Sequence, residues 1–325
     1  MRSSTSRTLL ALSLLPALSL AGCGTWSNED LRFYEALPTS PELHLAVPAA
    51  PAVAAAVDGH RAALVACDPA LGPATIWERA KPTSDQINRS IDWVLGLVDV
   101  VRRHPPTTRL PDGRIWGPFD DERHPGIQVR IVIMRTFPGG PEVPQHDYAF
   151  EARRTASANP FQPILEGSFV GPSARQGHGG VKLHFGTIWI LGMADADAPR
   201  GEMEIQYDRS VEPRTVQLVL ARAGFNLAQF SYAFQGYLDG RGRFDFAILN
   251  ASGDRIEFNA GFDAAGAGEG VATFTTAAGA TGTFRQCWRE TGCLSRIVDP
   301  TGYSCPGGTP CDIGVDALDC PLVPP

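Results

Sequence analysis

Glu202-Met203-Glu204-Ile205-Gln206-Tyr207-Asp208 is the stretch on which the fold turns. Met203, Ile205 and Tyr207 alternate strictly with acidic and amide side chains, so one face of an extended strand is apolar and the other is wet. The same period of two continues in Val216, Leu218 and Leu220, then in Phe230, Tyr232 and Phe234. Phe244, Phe246 and Ile248 follow, and then Ile256, Phe258 and Phe262. Turn formers separate these runs: Asp239-Gly240-Arg241-Gly242, residues 250–254, and the glycine-rich 266–270. Links this short join only antiparallel neighbours, because a parallel crossover needs a dozen residues or more. Upstream, residues 115–120, 127–135, 147–153, 163–169 and 181–190 read as further, less regular strands. Twisted open sheets rarely exceed about ten strands without curling or closing, and roughly eleven or twelve are expected here. The sequence therefore predicts a mainly β fold, a large curved antiparallel meander of half-barrel or barrel-like form.

One long amphipathic helix is expected at 84–103. Thr83 or Ser84 caps it, and Ile87, Ile91, Val94, Leu95, Val98 and Val101 make a single apolar stripe at spacings of three and four. Arg102, Arg103 and His104 complement the negative end of the helix dipole, and Pro105-Pro106 stop it. Gly96 inside this helix costs about 1 kcal/mol against alanine, a cost that close approach of another backbone would explain. The stripe is read as a core face laid on the concave side of the sheet or across one mouth. Earlier in the chain, Ser27 or Asn28 caps a short turn carrying Leu31, Tyr34 and Leu37, and Leu43, Leu45 and Val47 alternate as a strand would. Residues 48–56 form an Ala/Pro-rich connector.

The N-terminus carries an address. Arg2 and Arg7 precede an apolar run from Leu9 to Leu20, which ends in Leu20-Ala21-Gly22-Cys23. A basic start, a short apolar segment and a small-residue cleavage site make a secretory signal. The run falls short of the roughly 20 residues a spanning helix needs. With cysteine just past the cleavage site, residues 1–23 resemble a bacterial lipoprotein signal. The resemblance implies removal of 1–22, fatty acylation of Cys23 with chains such as palmitate, and attachment to a membrane. Thr25 stands where an aspartate often retains such proteins at the inner membrane, so the outer membrane is favoured. The resulting division is 1–22 signal peptide, 23–57 tether and connector, 58–290 helix plus β domain, and 291–325 a Cys-rich tail.

That compartment decides how the cysteines read. Disulfides persist outside the cytoplasm, and Cys67, Cys287, Cys293, Cys305, Cys311 and Cys320 are an even set with every pairing open. The tail replaces alternation by Gly, Pro and Asp, so crosslinks are expected to hold it. No C-x-x-C pair occurs and no histidine lies among the last five cysteines, so no zinc site is expected.

Motifs of catalysis are missing. There is no G-x-S-x-G elbow, no H-E-x-x-H and no phosphate-binding loop. The seven histidines are dispersed; His184 shares the polar face of its strand with Lys182. A net charge of −7 without a basic run argues against nucleic acid. No cofactor and no metal are expected. Phe230, Tyr232, Phe234, Phe244 and Phe246 are candidates for an apolar pocket, because a wide curved sheet encloses more space than one helix fills. At fold level the pattern resembles the curved sheets of periplasmic lipoprotein carriers and the lipocalin-type barrels. The expectation is a non-catalytic, membrane-tethered envelope protein that binds an apolar small molecule or lipid, or serves a structural role. The rivals are an interaction module for another envelope protein and a tethered hydrolase whose site is assembled from distant strands.

Overall fold

The alternation that begins upstream of Met203 runs through the whole sheet. The structure, a computed structural model, describes residues 26–44, 74–140, 142–156, 159–173, 176–194, 199–224, 227–290, 293–298 and 312–313. Three helices precede the sheet: α1 (Asn28–Tyr34), the single turn α2 (Ser40–Leu43) and α3 (Thr75–Arg102). The first strands are β1 (Thr108–Leu110), β2 (Gly113–Asp120), β3 (Ile127–Thr136), β4 (Gln145–Arg154), β5 (Gln162–Ser173) and β6 (Gln176–His184). After helix α4 (Phe185–Leu191) come β7 (Glu202–Asp208), β8 (Arg214–Gly224), β9 (Leu227–Gly236) and β10 (Gly242–Asn250). The sheet continues with β11 (Arg255–Phe262), β12 (Gly268–Thr275), β13 (Thr281–Trp288) and β14 (Leu294–Val298), onto which Asp312–Ile313 pairs.

Every strand pairs with its sequence neighbours, all antiparallel, in the order of the chain. Among the described residues the sheet does not close, which corrects the barrel alternative: there β1 pairs only with β2, and the far edge ends at Asp312–Ile313. Register supplies the reason. One row of directly opposed residues runs from Thr108 through Ile115, Val132, Ala149, Glu166, Lys182 and Glu204. It goes on through Val219, Ser231, Ala247, Glu257 and Thr273 to Thr283. The strands therefore carry no net stagger, whereas closure needs tilted strands with a fixed shear.

Four of the turns explain that regularity. Gly240, Gly253, Gly266 and Gly279 all have positive φ, and each stands 13 residues after the last. In each turn the glycine amide donates to the carbonyl three residues back, and a second bond closes the loop, as in Gly240 to Tyr237 and Tyr237 to Arg241. This is a type I turn completed by a left-handed residue, the usual three-residue hairpin link. Identical turns at identical spacing give strands of equal length in straight register.

One face is dry. Met203, Ile205 and Tyr207 are buried with Leu218, Leu220, Phe230, Tyr232, Phe244, Phe246 and Phe258 in a continuous core. At two core-face glycines a neighbouring ring covers the position, and at a third, Gly270, Ile76 of α3 comes within 3.1 Å of where a Cβ would stand. A Cβ on Gly242 would lie 2.3 Å from the Phe262 ring, and one on Gly268 would lie 2.7 Å from that of Trp288. Helix α3 lies on this face, touching β12 near its start and β2 and β3 near its end. Its 28 residues reach about 40 Å, and nine strand spacings are about 43 Å. The helix is as long as the face it crosses.

Several local expectations are corrected. Helix α3 starts nine residues before the expected Ser84, which is buried instead of capping. The start is set from far away: Gln286 Oε1 accepts the Ile76 N–H at 3.0 Å, satisfying one of the donors a helix leaves open. At Gly96 the nearest atom to an added Cβ would be Arg123 Nη1 at 3.9 Å, so no close backbone demands a glycine there. Leu43 belongs to α2 rather than to a strand, and Leu45 and Val47 lie outside the described residues. The strand expected at 181–190 ends at His184. Beyond it Phe185, Ile188 and Leu191 are buried at helical spacing. Nor is the stretch 23–57 a tether throughout, since Phe33, Leu37 and Leu43 are buried in the core.

Candidate functional site

The site most heavily built from unusual residues lies where α1 meets the edge strands. Ser27 caps α1, accepting the Asp30 N–H at 3.0 Å while the Asp30 carboxylate accepts the Ser27 N–H at 2.9 Å. This reciprocal capping box leaves the second carboxylate oxygen pointing at the sheet. There Arg114 Nε donates to it at 2.6 Å, while Arg109 Nη2 donates at 3.0 Å to the oxygen that also accepts the Ser27 N–H. The Asp30 side chain exposes no surface and that of Arg114 only 7%. Burial alone raises the Asp30 carboxyl. The hydrogen bonds from Arg109, Ser27 and Arg114 more than offset this and hold it well below the usual carboxylate range.

The same helix buries Phe33 between two guanidinium groups. Arg114 sits 4.7 Å and Arg135 4.8 Å from its ring centre, and His146 meets it edge-on at 5.5 Å. Arg135 also pairs with Glu29 of α1. Just upstream, Trp26 packs edge-on to Tyr34 and against Trp116 of β2. The chain is thus fixed to the sheet from Trp26 onward, three residues after Cys23, which itself lies outside the described residues. The sequence reading missed Asp30, Arg109, Arg114 and Arg135. The Ser27-x-x-Asp30 pair carries the one local signal, since arginines in a strand ordinarily read as surface.

The aromatic candidates occupy one face, as their alternation requires. Phe230, Tyr232, Phe244 and Phe246 are buried and Phe234 is partly buried. They stack on one another: Phe246 lies 4.2 Å from Phe258, 6.1 Å from Phe244 and 6.2 Å from Phe230, and Phe234 stacks on Phe262. Ring volume fills this part of the face. The Tyr232 hydroxyl in this stack and, elsewhere on the same face, the His146 ring nitrogens beside Phe33 have no hydrogen-bond partner among the described residues. Burial pushes the Tyr232 hydroxyl up, helped by the Asp245 carboxylate. Burial, together with the Arg135 charge, pushes His146 down.

The opposite face is polar and carries two shallow, open troughs. One of about 620 Å³ crosses β3 to β7 over Ala149, Ser168 and Gly180. The other, about 330 Å³, crosses β8 to β11 over Ser231, Ala233 and Ala247. Small side chains make both floors. At the edge of the first, His184 Nε2 lies 3.0 Å from Glu166 and Nδ1 lies 3.3 Å from Glu202. Lys182 Nζ lies 3.0 Å from Glu202, an approach that raises Lys182 and lowers Glu202 from their ordinary values. Titratable groups do converge here. With a carboxylate on each ring nitrogen, however, the imidazole has no free nitrogen to take a proton from a substrate.

His178 and His184 stand six residues apart on one strand, about 20 Å, so they share no ligand. Among the described residues no group of three or more His, Cys, Asp or Glu side chains could hold a metal ion. Cys287 and Cys293 are buried and disulfide-bonded. Cys67, Cys305, Cys311 and Cys320 lie outside the described residues. No protein-family model, no curated protein and no solved structure matches the chain.

Proposed function

We propose that this protein is a non-catalytic lipoprotein of the cell envelope, anchored through acyl chains on Cys23, whose wide rigid sheet serves a structural role. The observation that carries this reading is the position of the lipobox cysteine. Leu20-Ala21-Gly22-Cys23 ends only three residues before Trp26, where the chain is already packed on the sheet. A segment that served merely to export the chain would not need its cleavage point joined to a buried ion cluster. The stacked rings of β9 to β11 favour structure over storage of an apolar ligand, because they occupy the space a ligand would take. Removal of 1–22, palmitate-type acylation, an outer-membrane address and a tail at 291–325 held by disulfides among the six cysteines belong to the same proposal. So does curvature of the sheet toward its dry face. The open troughs of the polar face favour one second reading, a module that meets another envelope protein there.

The test is direct. The chain isolated from membranes should carry the mass of a diacylglyceryl group on Cys23, and Cys23→Ser should move it to the soluble envelope fraction. Recovery of the wild-type chain soluble and without acyl mass would overturn the proposal.

A further inference from the structure

Helix α1 closes over a histidine whose surroundings cannot take a further positive charge. His146 of β4 stands directly opposite Arg135 of β3 and Phe169 of β5 on the dry face, and only 5% of it is exposed. Phe33 of α1 meets the ring edge-on. Neither ring nitrogen has a hydrogen-bond partner among the described residues, and neither does the buried Nε of Arg135. The imidazole is held neutral here, because an unpartnered buried charge costs far more than an unpartnered neutral group.

The charged groups around it are already engaged. On β3, Arg135 pairs with Glu29 of α1 and lies 3.6 Å from Asp112. Glu29 also holds Arg32 of α1, and Asp30 holds Arg109 and Arg114. Asp147, the next residue on β4, points to the opposite side of the sheet, where it accepts from the Gln145 amide at 2.9 Å. Four arginines therefore share three carboxylates, Glu29, Asp30 and Asp112. A proton on His146 would add a fifth cation, beside the Arg135 guanidinium and with no anion left to meet it. Burial and the Arg135 charge hold His146 below its ordinary value, and the opposing pull of Asp147 and Glu29 is outweighed.

We infer that His146 is an acid-sensitive latch: when its ring takes a proton, α1 lifts from β2–β4 and uncovers that end of the dry face while the sheet stays folded. A charged imidazole needs water or an anion, and moving Phe33 aside admits water. Helix α1 can leave alone, being a seven-residue element at the start of the described chain, held by side chains rather than by the strand ladder. The sign follows from linkage. In the open form the ring regains its ordinary value of about 6.5 and binds a proton more readily than in the closed form, so acid favours opening below about pH 6.5. That window lies above the one set by the Asp30 carboxylate, which begins near pH 4. The latch is independent of how Cys23 is processed.

Amide hydrogen exchange on the full chain between pH 7 and 5, expressed as protection relative to the unstructured rate at each pH, tests the latch. The Leu31, Glu35 and Ala36 amides donate to the carbonyls of Ser27, Leu31 and Phe33. Their protection should fall by up to about tenfold per pH unit below 6.5, the limit for one proton, while amides of β7 and β8 keep theirs. His146→Phe retains a buried ring without a titrating group and should flatten the response. Asp30→Asn should lower α1 protection at every pH and leave the slope in place. Constant α1 protection across this range, a fall shared by β7 and β8, or the same slope in His146→Phe overturns the latch. Should His146→Phe fail to fold, the ring carbon shifts of His146 in the wild-type chain decide. They should move together with α1 protection, and a ring that protonates while α1 stays protected overturns the latch.

Discussion

Asp30→Asn is expected to lower the unfolding free energy by about 3–5 kcal/mol, the cost of leaving one partner of a buried ion pair without the other. Arg114 is the partner left behind. Its guanidinium is nearly as buried as the carboxylate and would keep only the carbonyls of Leu110 and Gly113, each 2.7 Å from Nη1. Asparagine retains the shape and one acceptor oxygen, so the loss reports charge rather than volume. Arg32→Ala is the matched control, because Arg32 pairs with Glu29 on the surface at 72% exposure; exposed pairs contribute about 0–1 kcal/mol.

The same carboxylate gives an acid limb of known sign. The folded carboxyl titrates below its unfolded value, so its stabilisation is complete above about pH 4 and is lost as pH falls through and below that value. The wild-type denaturation midpoint should drop steeply on acidification, and that of Asp30→Asn should drop less. Urea midpoints as a function of pH measure both effects. A shift no larger than that of Arg32→Ala would show that the cluster is not a clamp.

Phe246→Ala should cost about 3–5 kcal/mol, as large-to-small changes of buried aromatic residues do. Phe246 touches three other rings, with the Phe258 centroid only 4.2 Å away. Its removal therefore opens a cavity in a stack, and the rings on either side also lose their packing. Leu238→Ala, at an exposed tip, should stay within about 0.5 kcal/mol. A ring that merely lined an open pocket would behave like Leu238. Chemical denaturation of the two variants side by side separates a packed core from a ligand chamber.

Much of the sheet is legible in the chain because two local signals agree. Alternation assigns each side chain to a face, and turn glycines at short links force neighbouring strands to pair. The missing stagger was also readable, in the 13-residue spacing of Gly240, Gly253, Gly266 and Gly279. Alternation within single strands does not reveal that spacing, and so it leaves a half-barrel and a closed, barrel-like form equally open. What could not be read locally was decided by distant partners. Helix α3 begins where Gln286 can cap it, across a separation of 210 residues. The apolar run Phe185 to Leu191 suits a strand by composition, but burial of Phe185, Ile188 and Leu191 settles it as a helix. The ion cluster was hidden for a related reason: Asp30, Arg109 and Arg114 lie up to 84 positions apart, and nothing adjacent to any of them marks it as buried.

The even turn spacing has a bearing on how wide such a protein can be. Thirteen residues carry the chain to the opposite end and invert the faces, as Phe244 and Glu257 illustrate. Twice that length returns both end and face, and Gly242 under Phe262 is followed at that interval by Gly268 under Trp288. A chain built this way can gain or shed a two-strand unit without repatterning the rest. A barrel cannot, because its girth and shear are set jointly. Breadth is here a matter of how many copies are strung together.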